Sequence, residues 1–351
     1  MAHSFHVSQS HAHLKWNNRL APVLRVPSGT EVTFDLKDAS NDQIRPDNAS
    51  TALAAFDFSQ TDPAFGPVFV EGAEPGDILQ VDILSLTTGD FGWTALFDGF
   101  GLLADEYPPE AHEQNLKIWD LRPSALVPSI TGPSGPSRAV FKPGITVPVR
   151  PFLGIMGIAP AEDGELSVIP PYALSGGNID TRYLNQGATV RFAVQVPGAL
   201  FSCGDGHAAQ GDGEVCGTAI ETPMKARLRL SIIKKETSQS DASSSSSSSN
   251  GGKQWMELHC LHYITPPRGG GEVAEDDLKG TYAALGIHAD PREAARMALR
   301  GLVDWLMKRK GLDRVEAYML ASVAASLRMT EAVDMPNYAV SCSIPLATFA
   351  D

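Results

Sequence analysis

Ala188-Thr-Val-Arg-Phe-Ala-Val-Gln-Val196 leads into Gly198-Ala-Leu-Phe-Ser-Cys-Gly-Asp-Gly-His-Ala-Ala-Gln-Gly-Asp-Gly-Glu-Val-Cys-Gly-Thr-Ala-Ile-Glu221, and Met224-Lys-Ala-Arg-Leu-Arg-Leu-Ser-Ile-Ile233 follows. The two outer runs are rich in β-branched and apolar residues and read as strands. Between them Asp205, His207, Gln210, Asp212, Glu214 and Glu221 are set among glycines. Carboxylates and an imidazole packed this closely repel one another and lose solvation, so a fold keeps them chiefly where a metal or a reaction needs them. The glycines permit positive φ and a close approach of backbone to ligand. The reading is a rigid sheet that presents a polar loop to a cleft.

The pattern extends outward on both sides. Val32-Thr-Phe-Asp-Leu36, Pro67-Val-Phe-Val70, Asp77-Ile-Leu-Gln-Val-Asp-Ile-Leu84 and Leu166-Ser-Val-Ile169 are short strand-like runs punctuated by Gly and Pro. Leu53 to Phe58 reads as a short turn. Many short strands with such turns predict a mainly β body, an antiparallel sandwich or barrel. The last hundred residues change character. Asp290-Pro-Arg-Glu293 supplies an N-cap, a proline at N1 and a glutamate at N3, Ala294, Ala298, Leu302 and Leu306 recur near helical spacing, and Gly311 is a natural stop. A second helix is predicted over 313–327, with Val315, Tyr318, Met319 and Val323 on its apolar, core-facing stripe. This gives a C-terminal α+β lobe on the β body.

The expected divisions are a sandwich-like segment 1–150, a barrel-like segment 151–237 carrying the polar loop, a serine-rich insertion 238–253, and the lobe 254–351. Ser240 to Gly252 cannot bury apolar area enough to offset its ordering entropy, so it reads as a disordered tip. It is expected to join two paired strands, Ala226 to Ile233 and Trp255 to Ile264.

Composition narrows the function. A net charge of −13 disfavours nucleic acid and anionic membrane as partners. No apolar run approaches the length of a spanning helix, and the start lacks the basic and apolar regions of a signal peptide. The cysteines Cys203, Cys216, Cys260 and Cys342 show neither zinc-type CxxC spacing nor the density of a disulfide scaffold. A reduced cytoplasmic compartment and a homo-oligomer of at least two copies are expected.

Ser-Cys-Gly-Asp-Gly-His-Ala-Ala-Gln-Gly-Asp-Gly-Glu followed by Cys-Gly-Thr-Ala-Ile-Glu resembles the hallmark of the acetamidase/formamidase family. Further blocks agree in order: Gly66-Pro-Val-Phe-Val-Glu-Gly-Ala-Glu-Pro-Gly-Asp77, Gly92-Trp-Thr-Ala95, Gly99-Phe-Gly-Leu-Leu-Ala-Asp105, Arg150-Pro-Phe-Leu-Gly-Ile-Met-Gly-Ile-Ala-Pro160 and Gly176-Gly-Asn-Ile-Asp180. The resemblance runs from about Leu14 to Ile233 and more weakly beyond. It implies hydrolysis of short linear amides such as formamide or acetamide, with release of ammonia, and an active site lined by Asp205, His207 and Glu214. On this reading Asp205, His207 and Asp38 hold a divalent ion, and Glu214 is the base. His13, in a segment that resembles the family's N-terminal His-x-x-Trp, is a further candidate ligand. Glu71, Asn178 and Gln210 are candidates for substrate contact.

An imidazole among carboxylates suits zinc, while the oxygen donors also suit calcium or magnesium. Each site residue has a plainer reading: Asp38 as a turn aspartate, His13 as a solvated terminal histidine, Glu71 and Asn178 as turn residues. Three rival functions stay open at this level. One is a thiol mechanism pairing Glu214 with Cys216 on one strand face, another a larger, pathway-specific amide substrate, the third a non-catalytic module that binds a metal or small ligand.

Overall fold

Met224–Ile233 forms a ten-residue strand that buries Met224, Ala226, Leu228 and Leu230 on one face and turns Lys225 and Arg227 outward. The period of two is what places one edge of a hydrophobic core. The computed structural model describes residues 5–106, 115–132, 135–235, 256–267 and 278–350. Within it this strand belongs to a nine-stranded sheet. The spatial order is Phe5–Val7, Thr30–Leu36, Met224–Ile233, Ile78–Thr88, Thr189–Ala193, Leu261–Ile264, Thr281–His288, Tyr338–Pro345, Ser326–Glu331.

A second sheet has the order Gly176–Asn178, Phe152–Gly157, Phe201–His207, Ala64–Val70, Ala12–His13, with Leu24–Val26 also pairing on Ala64–Val70. Pairing is antiparallel apart from Phe5–Val7 on Thr30–Leu36 and Leu24–Val26 on Ala64–Val70. Phe34 and Leu228 from the first sheet and Phe65, Leu153, Met156 and Phe201 from the second share one buried cluster. The mainly β sandwich expected from the strand pattern is present. The nine-stranded sheet takes strands from all three segments 1–150, 151–237 and 254–351.

One expected pairing is absent. Both edges of Met224–Ile233 are taken, by Thr30–Leu36 and by Ile78–Thr88. The next described strand, Leu261–Ile264, instead pairs with Thr189–Ala193 and Thr281–His288. The two are therefore not a hairpin. The serine run between them lies outside the described residues.

The outer face of the large sheet is covered by two helices, α1 (Pro291–Lys310) and α2 (Arg314–Ala324). Alternation along Thr281–His288 explains how: Ala283 and Leu285 enter the sandwich core, while Tyr282 faces Leu302, Trp305 and Leu306 of α1. Tyr282 and Trp305 stack with centroids 3.9 Å apart. The predicted caps of α1 form, with Asp290 accepting from the Arg292 and Glu293 amides at 2.7 and 3.3 Å and Gly311 left-handed at the C-cap.

α2 is shorter than predicted and docks differently. Ala317 and Ala321 are its buried residues, whereas Val315, Tyr318, Met319 and Val323 face outward. Small side chains let the helix sit close to its neighbour, so the bulky stripe points away. Its N-terminus is fixed by a capping box between Asp313 and Glu316. Asp313→Ala leaves the Val315 and Glu316 amides without that partner and should cost about 1 kcal/mol in urea unfolding. A midpoint shift near zero would mean that α2 adds nothing to the stability of the lobe.

Candidate active site

Phe201–His207 is buried along its whole length, between Phe152–Gly157 and Ala64–Val70. Its last residues carry Asp205 and His207 to one end of the smaller sheet. Asp180 arrives just after Gly176–Asn178, and its amide donates to the Gly154 carbonyl at 3.3 Å. Glu221 is held by paired main-chain bonds to Trp93. Glu214 sits in a turn whose preceding residue, Gly213, donates to the Thr330 carbonyl, which ties the loop to the C-terminal lobe. From that lobe comes Asp334, and from the segment before Ala64–Val70 comes Asp62.

Asp62, Asp180, Asp205 and Glu214 all have left-handed backbones, with φ of 54°, 35°, 52° and 45°. Such conformations cost of order 1–3 kcal/mol each in residues other than glycine, and they persist where the surroundings over-determine them. Asp180, Asp205 and Glu214 bring their carboxylates into the clusters around His207, and Asp62 lies close enough to Asp205 for their charges to interact.

His207 belongs to two of these clusters. Its Nε2 lies 3.0 Å from Asp205 Oδ2, 2.9 Å from Glu221 Oε2 and 3.9 Å from Glu214 Oε1. The Phe152 ring packs edge-on against it at 4.9 Å. Gln210 Nε2 donates to the Asp180 carbonyl at 3.0 Å, so Gln210 Oε1 is the acceptor for His207 Nδ1 at 2.8 Å. Nδ1 therefore carries a proton, and Nε2 faces two carboxylates. That nitrogen must hold either a second proton or a cation.

Burial works against an imidazolium, but the Asp205 and Glu221 carboxylates prevail and hold the His207 pKa well above its ordinary value. Burial raises the acids: Asp180 to about 6 and Glu221 to about 8, with Glu214, Asp62 and Asp334 pushed well up. One imidazole cannot neutralise so many buried acids.

Both Asp180 carboxylate oxygens, Asp205 Oδ1 and Glu221 Oε2 are buried without a hydrogen-bond partner. Three sets place their donor atoms within 4.8 Å of one another: Asp180, Asp205 and His207; His207, Glu214 and Glu221; and Asp180, Glu214 and Asp334. Orphaned carboxylate oxygens around an imidazole nitrogen are the donor set a divalent cation requires.

A cation-free protein should lose stability as pH rises. Asp180 and Glu221 favour the folded state while protonated, since their folded pKa values stand above the ordinary 3.8 and 4.5. That contribution is complete below about pH 4 and is lost as pH climbs to about 8. The melting temperature of chelator-treated protein should fall across this window, and a divalent cation should restore it at pH 8. A flat profile in chelator would count against a charge-starved centre.

The other sequence candidates fall as follows. Asn178 lines the cavity, donates from Nδ2 to Asp334 Oδ2 at 2.8 Å, and has a buried, unpartnered Oδ1. Gln210, expected to touch substrate, has both ends of its amide occupied, by His207 Nδ1 and by the Asp180 carbonyl. Asp38 was expected as a ligand, yet it stands in none of the three donor sets. Its Oδ1 accepts from the Ser40 amide at 2.8 Å and Trp93 Nε1 at 3.1 Å, so it holds the indole in place.

His13 is likewise outside the donor sets. Its nitrogens are committed to the Lys15 carbonyl at 2.9 Å and the Ser202 hydroxyl at 2.8 Å, and burial lowers its pKa to about 4. Glu71 is exposed in a turn. Glu214 and Cys216 lie in a turn instead of on one strand, and the Cys216 thiol is directed at the Thr218 carbonyl at 3.3 Å. Sequence reasoning left Asp62, Glu221 and Asp334 without a role. Glu221 stood inside the hallmark run, whereas Asp62 and Asp334 carry only the local signature of turn aspartates.

An imidazole ringed by buried carboxylates thus forms the floor of a cavity on a β-sandwich. The chain belongs to the acetamidase/formamidase family, whose model matches residues 1–167 and 163–351. It is an amidohydrolase. A formamidase of Methylophilus methylotrophus is 29% identical over 267 residues, covering 63% of this chain and 64% of that protein. An acetamidase of Mycolicibacterium smegmatis is 28% identical over 283 residues, covering 63% and 66%. The crystal structure of an acetamidase from Bacillus halodurans superposes with a TM-score of 0.77 at 25% identity, covering 98% of each chain. No described helix is long and apolar enough to cross a membrane.

Proposed function

We propose that this chain is a metal-dependent hydrolase of linear amides that releases ammonia. The observation that carries the reading is His207 Nε2 facing the Asp205 and Glu221 carboxylates across 2.9–3.0 Å. Asp180, Asp205, His207 and Glu221 would hold the cation, with Asp334 and Glu214 beside them. Zinc is the reading for its identity because an imidazole nitrogen is in the set; the oxygen donors suit calcium or magnesium. A bound divalent ion supplies carbonyl polarisation and a more acidic water.

The chain's own groups do the rest. Glu214 lines the cavity and is placed to take a proton from the attacking water and return it to the departing nitrogen. Asn178 Oδ1, buried and without a partner, is an acceptor for the amide N–H of a substrate. Gln210 keeps the proton on His207 Nδ1, which leaves Nε2 turned to the donor set. Asp38 fixes Trp93, which forms part of the cavity wall.

Ammonia release from formamide and acetamide, before and after chelation and with metal added back, tests this reading. Elemental analysis of protein purified without added metal identifies the ion. Turnover that survives complete metal removal would overturn metal dependence. No release of ammonia from any amide would favour the binding-module reading.

A further inference from the structure

The wall of the same cavity is unlike its floor. Phe56, Phe58, Trp93, Phe97 and Phe100 line it above Asp205, His207 and Glu221. Phe56, Phe58 and Phe97 form a closed triangle, with centroids 4.5–5.0 Å apart, and Phe97 meets Trp93 edge-on at 6.4 Å. Phe56 and Phe97 also pack on a small core beneath them, but Phe58 and Phe100 belong to no core cluster. Phe58 is 54% exposed. Contiguous apolar rings partly open to water beside a polar cavity are the mark of a ligand-binding groove.

The platform is fixed in advance. Gln43, a residue the catalytic reading does not use, clamps the backbone between Phe56 and Phe58. Its Oε1 accepts from the Asp57 amide at 2.7 Å, and its Nε2 donates to the Asp57 carbonyl at 3.0 Å. The Asp57 side chain then caps the following turn through the Ser59 amide at 2.9 Å. Edge-to-face packing of Phe58 on both neighbours, at 79° and 69°, leaves ring faces available for a further aromatic partner. The cavity measures ≈ 150 Å³ with its polar floor included, so an amide group fills the floor and a ring attached to it stands against the aromatic wall beside the half-exposed Phe58. Formamide would engage the polar floor alone and leave the wall bare.

Resting on the reading of the floor as an amide-hydrolysing centre, we propose that the preferred substrates are primary amides bearing an aryl or similarly flat apolar acyl group. The ring is held by Phe58, Phe97 and Phe100, and Gln43 is the positioning residue for that subsite. The released acid is correspondingly an arylalkanoate or aryl carboxylate.

Acetamide and phenylacetamide form a matched pair that differs by one ring. Calorimetry should show phenylacetamide binding at least tenfold more tightly to the metal-loaded protein. Phe58→Ala and Phe97→Ala should each cut the phenylacetamide-to-acetamide affinity ratio at least fivefold. Gln43→Ala should lower the same ratio, because the platform loses its clamp, and thermal melting confirms that each variant is folded. Equal affinity for the two amides would overturn the proposal. So would a Phe58→Ala effect of the same size on both, the behaviour of a rim that merely excludes water. Ammonia release from the two amides, measured separately, tests the hydrolase reading. If neither amide is cleaved, that reading fails while the affinity ratio still decides the subsite.

Discussion

Glu214→Gln is expected to lower kcat for amide hydrolysis by about 10²- to 10⁴-fold, the usual worth of a positioned general base, while bound metal stays near its wild-type level. The substitution keeps the shape of the side chain and removes only its ability to take a proton. Glu214 is held at this position by a left-handed turn, with φ of 45°, and its carboxylate opens on the cavity it shares with His207. Its nearest cationic partner in the protein is His207 Nε2 at 3.9 Å, beyond hydrogen-bond reach. Burial raises the Glu214 pKa, so the protonated form is inactive over a wider acidic range and wild-type activity should climb with pH. That acidic limb should be missing from the residual activity of the variant. A fully active variant would remove Glu214 from the chemistry, and a variant that loses its metal would make Glu214 a ligand instead of the base.

How far the sequence carries one to this site depends on how local each signal is. Helix caps are local: Asp290 and Glu293 for α1, Asp313 and Glu316 for α2, all lie within one turn of the groups they satisfy. The strand Met224–Ile233 is local too, because alternation over ten residues fixes its faces. Its neighbours are not. Chain adjacency suggested a hairpin with the next strand, but Ile78–Thr88 and Thr189–Ala193 occupy the sheet between them. The docking face of α2 was misread because an apolar stripe predicts burial only where a partner offers room, and the partner here accepts alanines.

The site divides in the same way. Asp205, His207 and Glu214 were visible because a dense run of polar residues among glycines is improbable as core. Asp62 and Asp334 come from remote turns and join the acid cluster only when folding places them beside Asp205 and Asp180. Gln210 was picked out by its company and lies beside His207, but only the fold reveals that its two ends pair with the His207 ring and the Asp180 carbonyl. His13 lies in the right neighbourhood with both ring nitrogens engaged, and Asp38 has its Oδ1 on the Ser40 amide and Trp93 Nε1 while its Oδ2 is buried without a partner, which no spacing rule reveals.

Gly154→Ala should reduce kcat/KM by on the order of 10²-fold and deplete bound metal, with a melting temperature no lower than that of chelator-treated wild type. Gly154 stands in Phe152–Gly157 directly across from Asp205, between the pairs Leu153↔Gly206 and Ile155↔Gly204. A methyl group built there falls well inside van der Waals contact of Asp205 Oδ2 and Asp180 Oδ1. Nothing in the backbone forbids alanine, since Gly154 is absent from the left-handed residues. The main chain can therefore stay in register while the two carboxylates move aside. Displacements near 1 Å at a reacting centre are worth about 10² in rate, and the same two groups belong to the first donor set.

Gly204→Ala provides the contrast. Its methyl would strike the Pro63 carbonyl, a backbone atom that cannot rotate away, so there the loss should appear as unfolding. Measuring metal content, kcat/KM and melting temperature on both variants separates damage to the site from damage to the sheet. Wild-type activity in Gly154→Ala would show that Asp180 and Asp205 need not hold the positions seen here for the reaction to proceed.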